Sequence, residues 1–349
     1  MKTNLSYLAI SAGLALLTIS SCKKDEVIPV IPPSDGKEVT LNLLAGSEAT
    51  GDKALNSAFI DFSSDEITIS GRADWDLAFY SGSDFRVTLN YKTAALTTAI
   101  NKNDLTQVTG ADTIGLPLSL TYSAADFAKI DSITGDLAYT RIPVNATASD
   151  NKVYIIQRGT GAGITARPWY KVRVLRNGQG GYTLQYARIT ETTFKTIEIT
   201  KDAQYNFQFV SFDNGIVSVE PKKADWDIQY TAAFDKYPFG DGFIPYFFSD
   251  FVLINYLGGT QVSEVLTADH PYTAITLTDA TSLTYSGNRL AIADKWRTLT
   301  SVASPSVLAD RFYVIKDVAG NYYKLKFISF HDKEGGTRGK PEIEYKLIK

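Results

Sequence analysis

Two pairs of carboxylates stand where paired acids could do chemistry. Asp74 and Asp76 flank a tryptophan, and the same arrangement recurs at Asp225 and Asp227. Carboxylates two residues apart on a strand lie about 6.5–7 Å apart, a spacing that suits a metal site or the acid and base of a glycosidase. The two carboxylates of a pair would project in parallel from one strand, however, whereas a glycosidase needs its acid and base on opposite sides of the bond that it cleaves. We therefore expect buried tryptophans with acidic residues at the solvated face or at a turn.

Histidines are the next candidates, and the chain has two. His270 lies in Ala-Asp-His-Pro, a turn signal that favours an exposed loop. His331 lies at the expected mouth of a hairpin, where a solvated strand end is the simpler interpretation. Of the two, His270 is the better candidate for an iron ligand. No nucleophile elbow, phosphate-binding loop, Cys-x-x-Cys or His-Glu-x-x-His motif occurs, so we expect no enzymatic activity.

The single cysteine, Cys22, follows an apolar segment at the start of the chain. Lys2 supplies a positive charge, and residues 8–19 are apolar but too few to span a bilayer, which predicts a signal peptide over residues 1–21. The small residues before Cys22 resemble a bacterial lipobox, so we predict lipidation of Cys22 and attachment to a membrane through that lipid. A proline-rich stretch then predicts an extended tether over residues 22–37.

The segments that hold the paired acids occur twice. The sequence Ala-Asp-Trp-Asp is found at residues 73–76 and 224–227, at an offset of 151 residues (226 minus 75 for the tryptophans), and the phenylalanine-rich segments before it correspond as well. A repeat of this length indicates a duplicated domain, because solenoid units repeat every ~20 to ~50 residues. We predict one domain over residues 38–193 and a second over 194–349, packed together because the junction lacks a flexible linker.

Strands are predicted through most of the chain. Polar and apolar residues alternate in short segments between turn residues, which is typical of an antiparallel sandwich or barrel. These segments lie at residues 38–43, 66–69, 153–156, 170–174, 182–186, 196–200, 311–315, 322–326 and 343–348. One short helix is predicted over residues 124–130. The formal net charge of −3, without a basic cluster in the folded part, argues against a nucleic-acid partner.

The duplicated segments resemble the HmuY family of haem-binding lipoproteins. The family's phenylalanine-rich strand, Trp-Asp-hydrophobic motif and strand ending in Asn are similar to residues 59–79 with Asn90, and again to residues 209–230 with Asn255. Its closing strands are similar to residues 311–348. The resemblance implies two tandem all-β, antiparallel HmuY-like domains in an exported outer-membrane lipoprotein at the cell surface. It further implies that the protein binds haem and passes it to an outer-membrane uptake receptor.

The iron ligands differ from the family pattern. Family members bind haem iron axially through His or Met side chains on loops in the middle and late part of the domain. Here residues 301–306 occupy the place of the late His, and no Met remains once the leader is removed. The first domain has no His either. The iron ligand that we predict is therefore His270, in the second domain.

An aromatic insertion distinguishes the second half. Residues 234–248 fill a gap that the first half crosses with residues 80–84. Because Gly and Pro interrupt the alternation, we predict a loop whose apolar patch binds a ligand or partner. Its predicted ligand-binding residues are Tyr237, Phe239, Phe243, Tyr246 and Phe247. The alternative is that these aromatics cover the interface between the two domains.

Two classes of function stay open from the sequence. The leading hypothesis is a lipid-anchored binding protein that takes up haem, or a similar flat apolar ligand, at the cell surface. The alternative is a structural, adhesive or carbohydrate-binding surface lipoprotein that has lost the haem site. Titration with haemin distinguishes the two classes.

Overall fold

The computed structural model describes residues 32–45, 54–298, 306–332 and 339–349. In this part of the chain, nineteen strands form four antiparallel sheets, which confirms the all-β fold class. In chain order the strands are β1 (Glu38–Thr40), β2 (Asn56–Ile60), β3 (Ile67–Gly71), β4 (Leu77–Tyr80), β5 (Arg86–Leu89), β6 (Leu96–Ile100), β7 (Ile142–Pro143), β8 (Val153–Gln157), β9 (Tyr170–Arg176), β10 (Tyr182–Arg188), β11 (Lys195–Ile199), β12 (Phe207–Ser211), β13 (Gly215–Val217), β14 (Ile228–Phe239), β15 (Gly242–Ile254), β16 (Gln261–Leu266), β17 (Arg311–Lys316), β18 (Tyr322–Ser329) and β19 (Glu342–Leu347).

Helical structure is sparse in the same ranges. The α-helix α1 spans Leu277–Ser282, and the helix predicted over residues 124–130 is a 3-10 helix, Ala124–Lys129. Among the described residues, no helix combines the length and the apolar character needed to cross a bilayer. Cys22, the signal peptide and most of the tether lie outside the described residues.

Two of the sheets form an inner lobe. One sheet has the order β13-β12-β4-β5-β7, and the other has the order β11-β10-β9-β8-β6. Their facing side chains share one core, in which Phe79 and Val210 of the first sheet meet Val172 and Leu184 of the second. This lobe uses one continuous stretch of chain, residues 77–217.

The other two sheets form an outer lobe from both ends of the chain. Their orders are β1-β19-β18-β17-β16 and β15-β14-β2-β3. The shared core includes Ile60 and Tyr230 on one sheet and Tyr323 and Tyr345 on the other. The outer lobe therefore combines residues 38–71 with residues that follow the inner lobe.

Strands are exchanged reciprocally between the two halves of the sequence. Hairpin β2–β3 of the first half pairs with β14, where Ile60 lies opposite Ile228. Hairpin β12–β13 of the second half pairs with β4, where Val210 lies opposite Leu77. Strand β1 likewise pairs with β19, and β11 with β10. The sheets thus cross the boundary of the sequence repeat, and the division into folding domains at residue 193 stays a prediction.

Strand exchange leads to a prediction about fragments. Residues 72–220 contain every strand of the inner lobe in its observed register, whereas residues 38–193 lack β12 and β13. We expect the 72–220 fragment to unfold cooperatively in urea and to keep near-ultraviolet circular dichroism, because its two-sheet core is complete. The 38–193 fragment must pair β2–β3 with β4 instead, so we expect it to be less stable. A 72–220 fragment without a cooperative transition would contradict the exchanged arrangement.

The aromatic insertion is a long hairpin, so the predicted loop is wrong. Strands β14 and β15 pair as far as Phe239 and Gly242, with a bulge at Thr231–Ala233. Strand β15 lies at the edge of its sheet, and β2 pairs with β14 only at residues 228–230. Because no other strand of the described residues pairs with the far half of the hairpin, Pro238 and Pro245 remove no further sheet hydrogen bond there.

Candidate ligand-binding cavity between the lobes

A cavity lies where the inner and outer lobes meet. Its volume is about 90 Å³, enough for several waters, and the empty space that includes the part open to solvent is about 990 Å³. Aromatic side chains form much of its wall. They are Phe59, Trp75, Tyr91, Phe207, Phe209, Phe234, Trp226 and Tyr256. Both lobes therefore contribute to one largely apolar site.

The two repeated tryptophans occupy equivalent places in this wall. Trp75 packs edge-on against Phe209, with ring centroids 5.1 Å apart, and Trp226 packs edge-on against Phe59 at the same separation. Each phenylalanine belongs to the hairpin exchanged from the other half of the sequence. Both indoles are buried, as predicted. The cavity thus exists because the exchange brings the two copies of the motif together.

The asparagines that end the motif strands hold the tryptophan turns. The Asn90 side-chain amide donates to the carbonyl oxygen of Trp75 at 2.6 Å, and that of Asn255 donates to the carbonyl oxygen of Trp226 at 2.8 Å. Both asparagines are buried. Their amide groups satisfy backbone carbonyls that would otherwise be left without partners beside the cavity. The repeated Asn is therefore a structural support of the cavity wall.

The second aspartate of each motif is buried, so its predicted place on a solvated face is wrong. Asp76 accepts from the backbone N–H of Phe212 at 2.8 Å, and Asp227 accepts from that of Phe62 at 2.9 Å. Each carboxylate therefore ties its own half to the exchanged hairpin. The alternation argument failed because the tryptophan and this aspartate lie in a turn before the strand. Asp74 and Asp225 are exposed, as expected.

The two buried aspartates differ in their partners. Arg158 forms a two-pronged ion pair with Asp76, with nitrogen–oxygen distances of 2.7 and 2.9 Å. The corresponding position after β17 is Asp317, whose negative charge adds to the burial that raises the pKa of Asp227 to about 7. One copy of the motif thus contains a buried ion pair, and the other contains a pair of acids.

Three N–H donors on the cavity wall lack acceptors among the described residues. They are the indole Nε1 atoms of Trp75 and Trp226 and the side-chain Nε2 of Gln229. The side-chain oxygen of Gln229 already accepts a hydrogen bond from the Tyr91 hydroxyl at 2.8 Å. A buried donor without an acceptor costs about 1–3 kcal/mol. A bound molecule with acceptor atoms would remove that cost.

Buried charged groups line the same cavity. Lys92 lies over the ring of Phe59, with Nζ 4.8 Å from the centroid, and its ammonium is 3.4 Å from the Ser70 hydroxyl. Burial lowers the pKa of Lys92 to about 7. Burial also raises the pKa of Glu220 to about 8, although its carboxyl accepts from the Phe207 backbone N–H at 3.0 Å. Burial therefore favours the neutral form of Glu220 near pH 7, whereas Lys92, with a pKa of about 7, is partly protonated there.

A second polar group lies on the other side of the cavity. Burial raises the pKa of Asp131 to about 6, and its carboxyl oxygens accept from the backbone N–H groups of Leu89 and Arg141 at 2.6 and 2.7 Å. The Arg289 guanidinium lies over the Tyr91 ring, 4.3 Å from its centroid. Asp131 is thus already hydrogen-bonded, whereas Arg289 adds a positive charge to the wall.

The predicted ligand-binding residues lie elsewhere. None of Tyr237, Phe239, Phe243, Tyr246 and Phe247 lines the cavity. Phe247 packs against the inner lobe so closely that a Cβ at Gly161 would lie 2.6 Å from its ring, which favours the interface alternative for this residue. Phe239 and Phe243 are exposed at the hairpin end, and Tyr237 and Tyr246 pack against each other. Their role in binding stays a prediction.

His270 also lies away from the cavity wall. It follows β16, where its backbone N–H donates to the carbonyl of Leu266. Hydrogen bonds from Thr276 and the charge of His270 lower the pKa of Asp279 on α1. The structure therefore does not bring His270 and the cavity together.

Sequence reasoning missed several residues of the cavity. Tyr91 and Lys92 directly follow the motif asparagine, and Glu220 precedes Pro221. Tyr91 has a counterpart in the other copy, because Tyr256 follows the motif asparagine there in the same way and also lines the cavity. Nothing in the local sequence, however, indicated that these residues would face one cavity.

The cavity residues do not fit haem iron. The wall contains no His, Met or Cys, and the described residues contain no cluster of three His, Cys, Asp or Glu side chains that could hold a metal. The wall has phenols such as Tyr256, whose pKa burial raises to about 12, so that it stays protonated. Axial ligation of iron needs imidazole, thioether, thiolate or phenolate donors.

Comparisons with known proteins gave one result. A family model described as HmuY protein matches residues 53–345 as a single span. No curated protein matched the chain, and no solved structure matched it either. The matched span includes the inner lobe, the outer lobe except β1 and the end of β19, and the whole cavity wall.

Proposed function

Because the chain belongs to the HmuY family, we propose that it is a non-enzymatic, exported binding protein whose ligand occupies the cavity between the lobes. The observation that carries the proposal is the pair of buried indole N–H groups without acceptors in an aromatic-walled cavity. Folding that leaves such donors unpaired is costly unless a bound molecule completes their hydrogen bonds. The cavity is also the kind of concave apolar site, with few polar groups, that small ligands use.

The proposed ligand is a flat apolar molecule smaller than haem. The family resemblance favours haem, but the cavity lacks a donor set for iron. Two edge-on aromatic pairs line the cavity, Trp75 with Phe209 and Trp226 with Phe59, and such rings suit contact with a planar molecule. Carbohydrate binding is less favoured, because a sugar ring carries many hydroxyls and most of this wall is apolar.

The proposed location is the cell surface. Lipidation of Cys22 and the tether over residues 22–37 would hold the folded part near an outer membrane. The hairpin end offers a surface for an outer-membrane uptake receptor, since Phe239 and Phe243 are 64% and 45% exposed. The Lys236 ammonium lies 4.2 Å from the Phe243 ring centroid and adds a charge to that surface.

Binding in the cavity is tested with toluene as a neutral aromatic probe. We expect ring protons of toluene to show saturation transfer from the purified protein by nuclear magnetic resonance. Ala78→Leu places extra side-chain atoms in the cavity and is expected to abolish the signal. The matched control, Ala99→Leu, makes the same change at an exposed position of β6 and should leave it intact. Equal signals from both variants would contradict a ligand site in this cavity.

Haem is tested separately by haemin titration. Because no axial donor lines the cavity, we expect no Soret shift of the kind that iron ligation produces, and no change with His270→Ala. A Soret shift that is lost in His270→Ala would restore the haem prediction. Near-ultraviolet circular dichroism checks that each variant keeps its fold.

A further inference from the structure

The unpartnered polar atoms of the cavity all have the same hydrogen-bonding character. An indole Nε1 can only donate, and the free part of the Gln229 amide is its NH₂ group. Donors cannot satisfy one another, so the complementary group must accept hydrogen bonds. Trp75 and Gln229 are 0% and 1% exposed, which leaves them no access to bulk water.

The charged groups around the cavity favour an anionic acceptor. Lys92 is buried, with its ammonium 3.4 Å from the Ser70 hydroxyl, and burial lowers its pKa against the smaller, opposite effect of the Glu220 charge. Arg289 lies over a tyrosine ring. The acids that line the same wall are Glu220, Asp131 and Asp136. Burial favours the neutral form of Glu220, and both oxygens of Asp131 already accept backbone N–H groups. Asp136 accepts from the backbone N–H of Ala138.

Resting on the proposed binding function, we infer that the ligand is a small aromatic carboxylate. Its ring lies among the phenylalanine and tryptophan side chains, and its carboxylate accepts from the indole N–H groups, the Gln229 amide and the Lys92 ammonium. Charge-assisted hydrogen bonds of this kind are stronger than neutral ones, which offsets the removal of the carboxylate from water. The small space limits the ligand to about the size of one or two rings.

Three probes of the same size test the inference. Benzoate carries the acceptor, toluene carries neither acceptor nor donor, and benzylamine carries a cationic donor. We expect benzoate to bind the purified protein at least about tenfold more tightly than toluene, and benzylamine to bind more weakly than either. Dissociation constants come from saturation-transfer titrations at pH 7.

Three variants separate the acceptor contacts from the cavity itself. Trp75→Phe removes one donor and is expected to weaken benzoate about tenfold more than it weakens toluene, which has no acceptor for that donor. Lys92→Met should act in the same direction. Gln229→Glu replaces the NH₂ donor by an acceptor of the same shape, so benzoate should weaken and benzylamine should strengthen. Because Gln229→Glu alters so few atoms, it keeps the test valid if a tryptophan variant fails to fold.

The outcomes distinguish the two proposals. Toluene and benzoate binding equally well, with Gln229→Glu changing neither, would overturn the carboxylate inference and leave the cavity function standing. No binding of any probe would overturn both. A Gln229→Glu variant that binds benzylamine more tightly than benzoate would support the inference directly.

Discussion

Asp76→Asn is expected to lower the free energy of unfolding by about 3 kcal/mol, because it leaves a buried guanidinium without its charged partner. Arg158 and Asp76 have side chains only 2% and 1% exposed, and the pair is held by two short hydrogen bonds. Asparagine can keep the bond from the Phe212 N–H, but it cannot accept from two guanidinium nitrogens as a carboxylate does. Asp213 remains as a second partner of Arg158, and its side chain is 48% exposed.

Asp227→Asn provides the matched control in the other copy of the motif. Burial beside Asp317 raises the pKa of Asp227 to about 7 from the ordinary 3.8. A raised pKa means that its contribution to stability is complete below about pH 4 and is lost as pH rises through 7. We therefore expect this variant to cost under about 1 kcal/mol at pH 5 and to become more stable than the wild type at pH 8.

Urea unfolding at the two pH values measures both variants. Equal changes in the free energy of unfolding from Asp76→Asn and Asp227→Asn at pH 8 would show that the ion pair with Arg158 adds no stability to the inner lobe. An Asp76→Asn variant as stable as the wild type would show that the ion pair contributes nothing to the free energy of unfolding.

The alternation of polar and apolar residues predicted the fold class because each strand buries one face. It could not predict which hairpin pairs with which strand. The hairpins β2–β3 and β12–β13 are copies, so Phe59 and Phe209 satisfy the same alternation in either lobe. Whether each hairpin pairs with a strand of its own half or of the other half depends on the path of the chain through both lobes. A local pattern carries no information about that path.

The same reason limits what the sequence reveals of the site. Burial of Trp75 and Trp226 followed from their motif, but a cavity between them depends on how the lobes meet. The loop predicted for residues 234–248 was wrong for a different reason. Pro238 and Pro245 argue against a central strand, and the sequence does not show that β15 lies at an edge of its sheet. Residues such as Lys92 and Glu220 carried no motif, because a buried charge looks like a surface charge in sequence.

Lys92→Met and Glu220→Gln are expected to change stability with opposite dependences on pH. Glu220 has a pKa raised by burial from 4.5 to about 8, so the wild type loses stability as pH rises from about 4.5 through 8. Lys92 has a pKa lowered by burial from 10.5 to about 7, so the wild type loses stability as pH falls from about 10.5 through 7. Each variant removes one of these two penalties.

Unfolding free energies between pH 5 and pH 9 test this pair. Glu220→Gln is expected to equal the wild type near pH 5 and to exceed it by about 3 kcal/mol at pH 9, whereas the advantage of Lys92→Met should grow by a similar amount from pH 9 down to pH 5. Gln can still accept from the Phe207 N–H, so the loss of charge is the main change. If the two groups instead formed a buried ion pair, both variants would be destabilised most at pH 7. Such a maximum would also remove the free ammonium that a ligand carboxylate needs, because Glu220 would already neutralise Lys92.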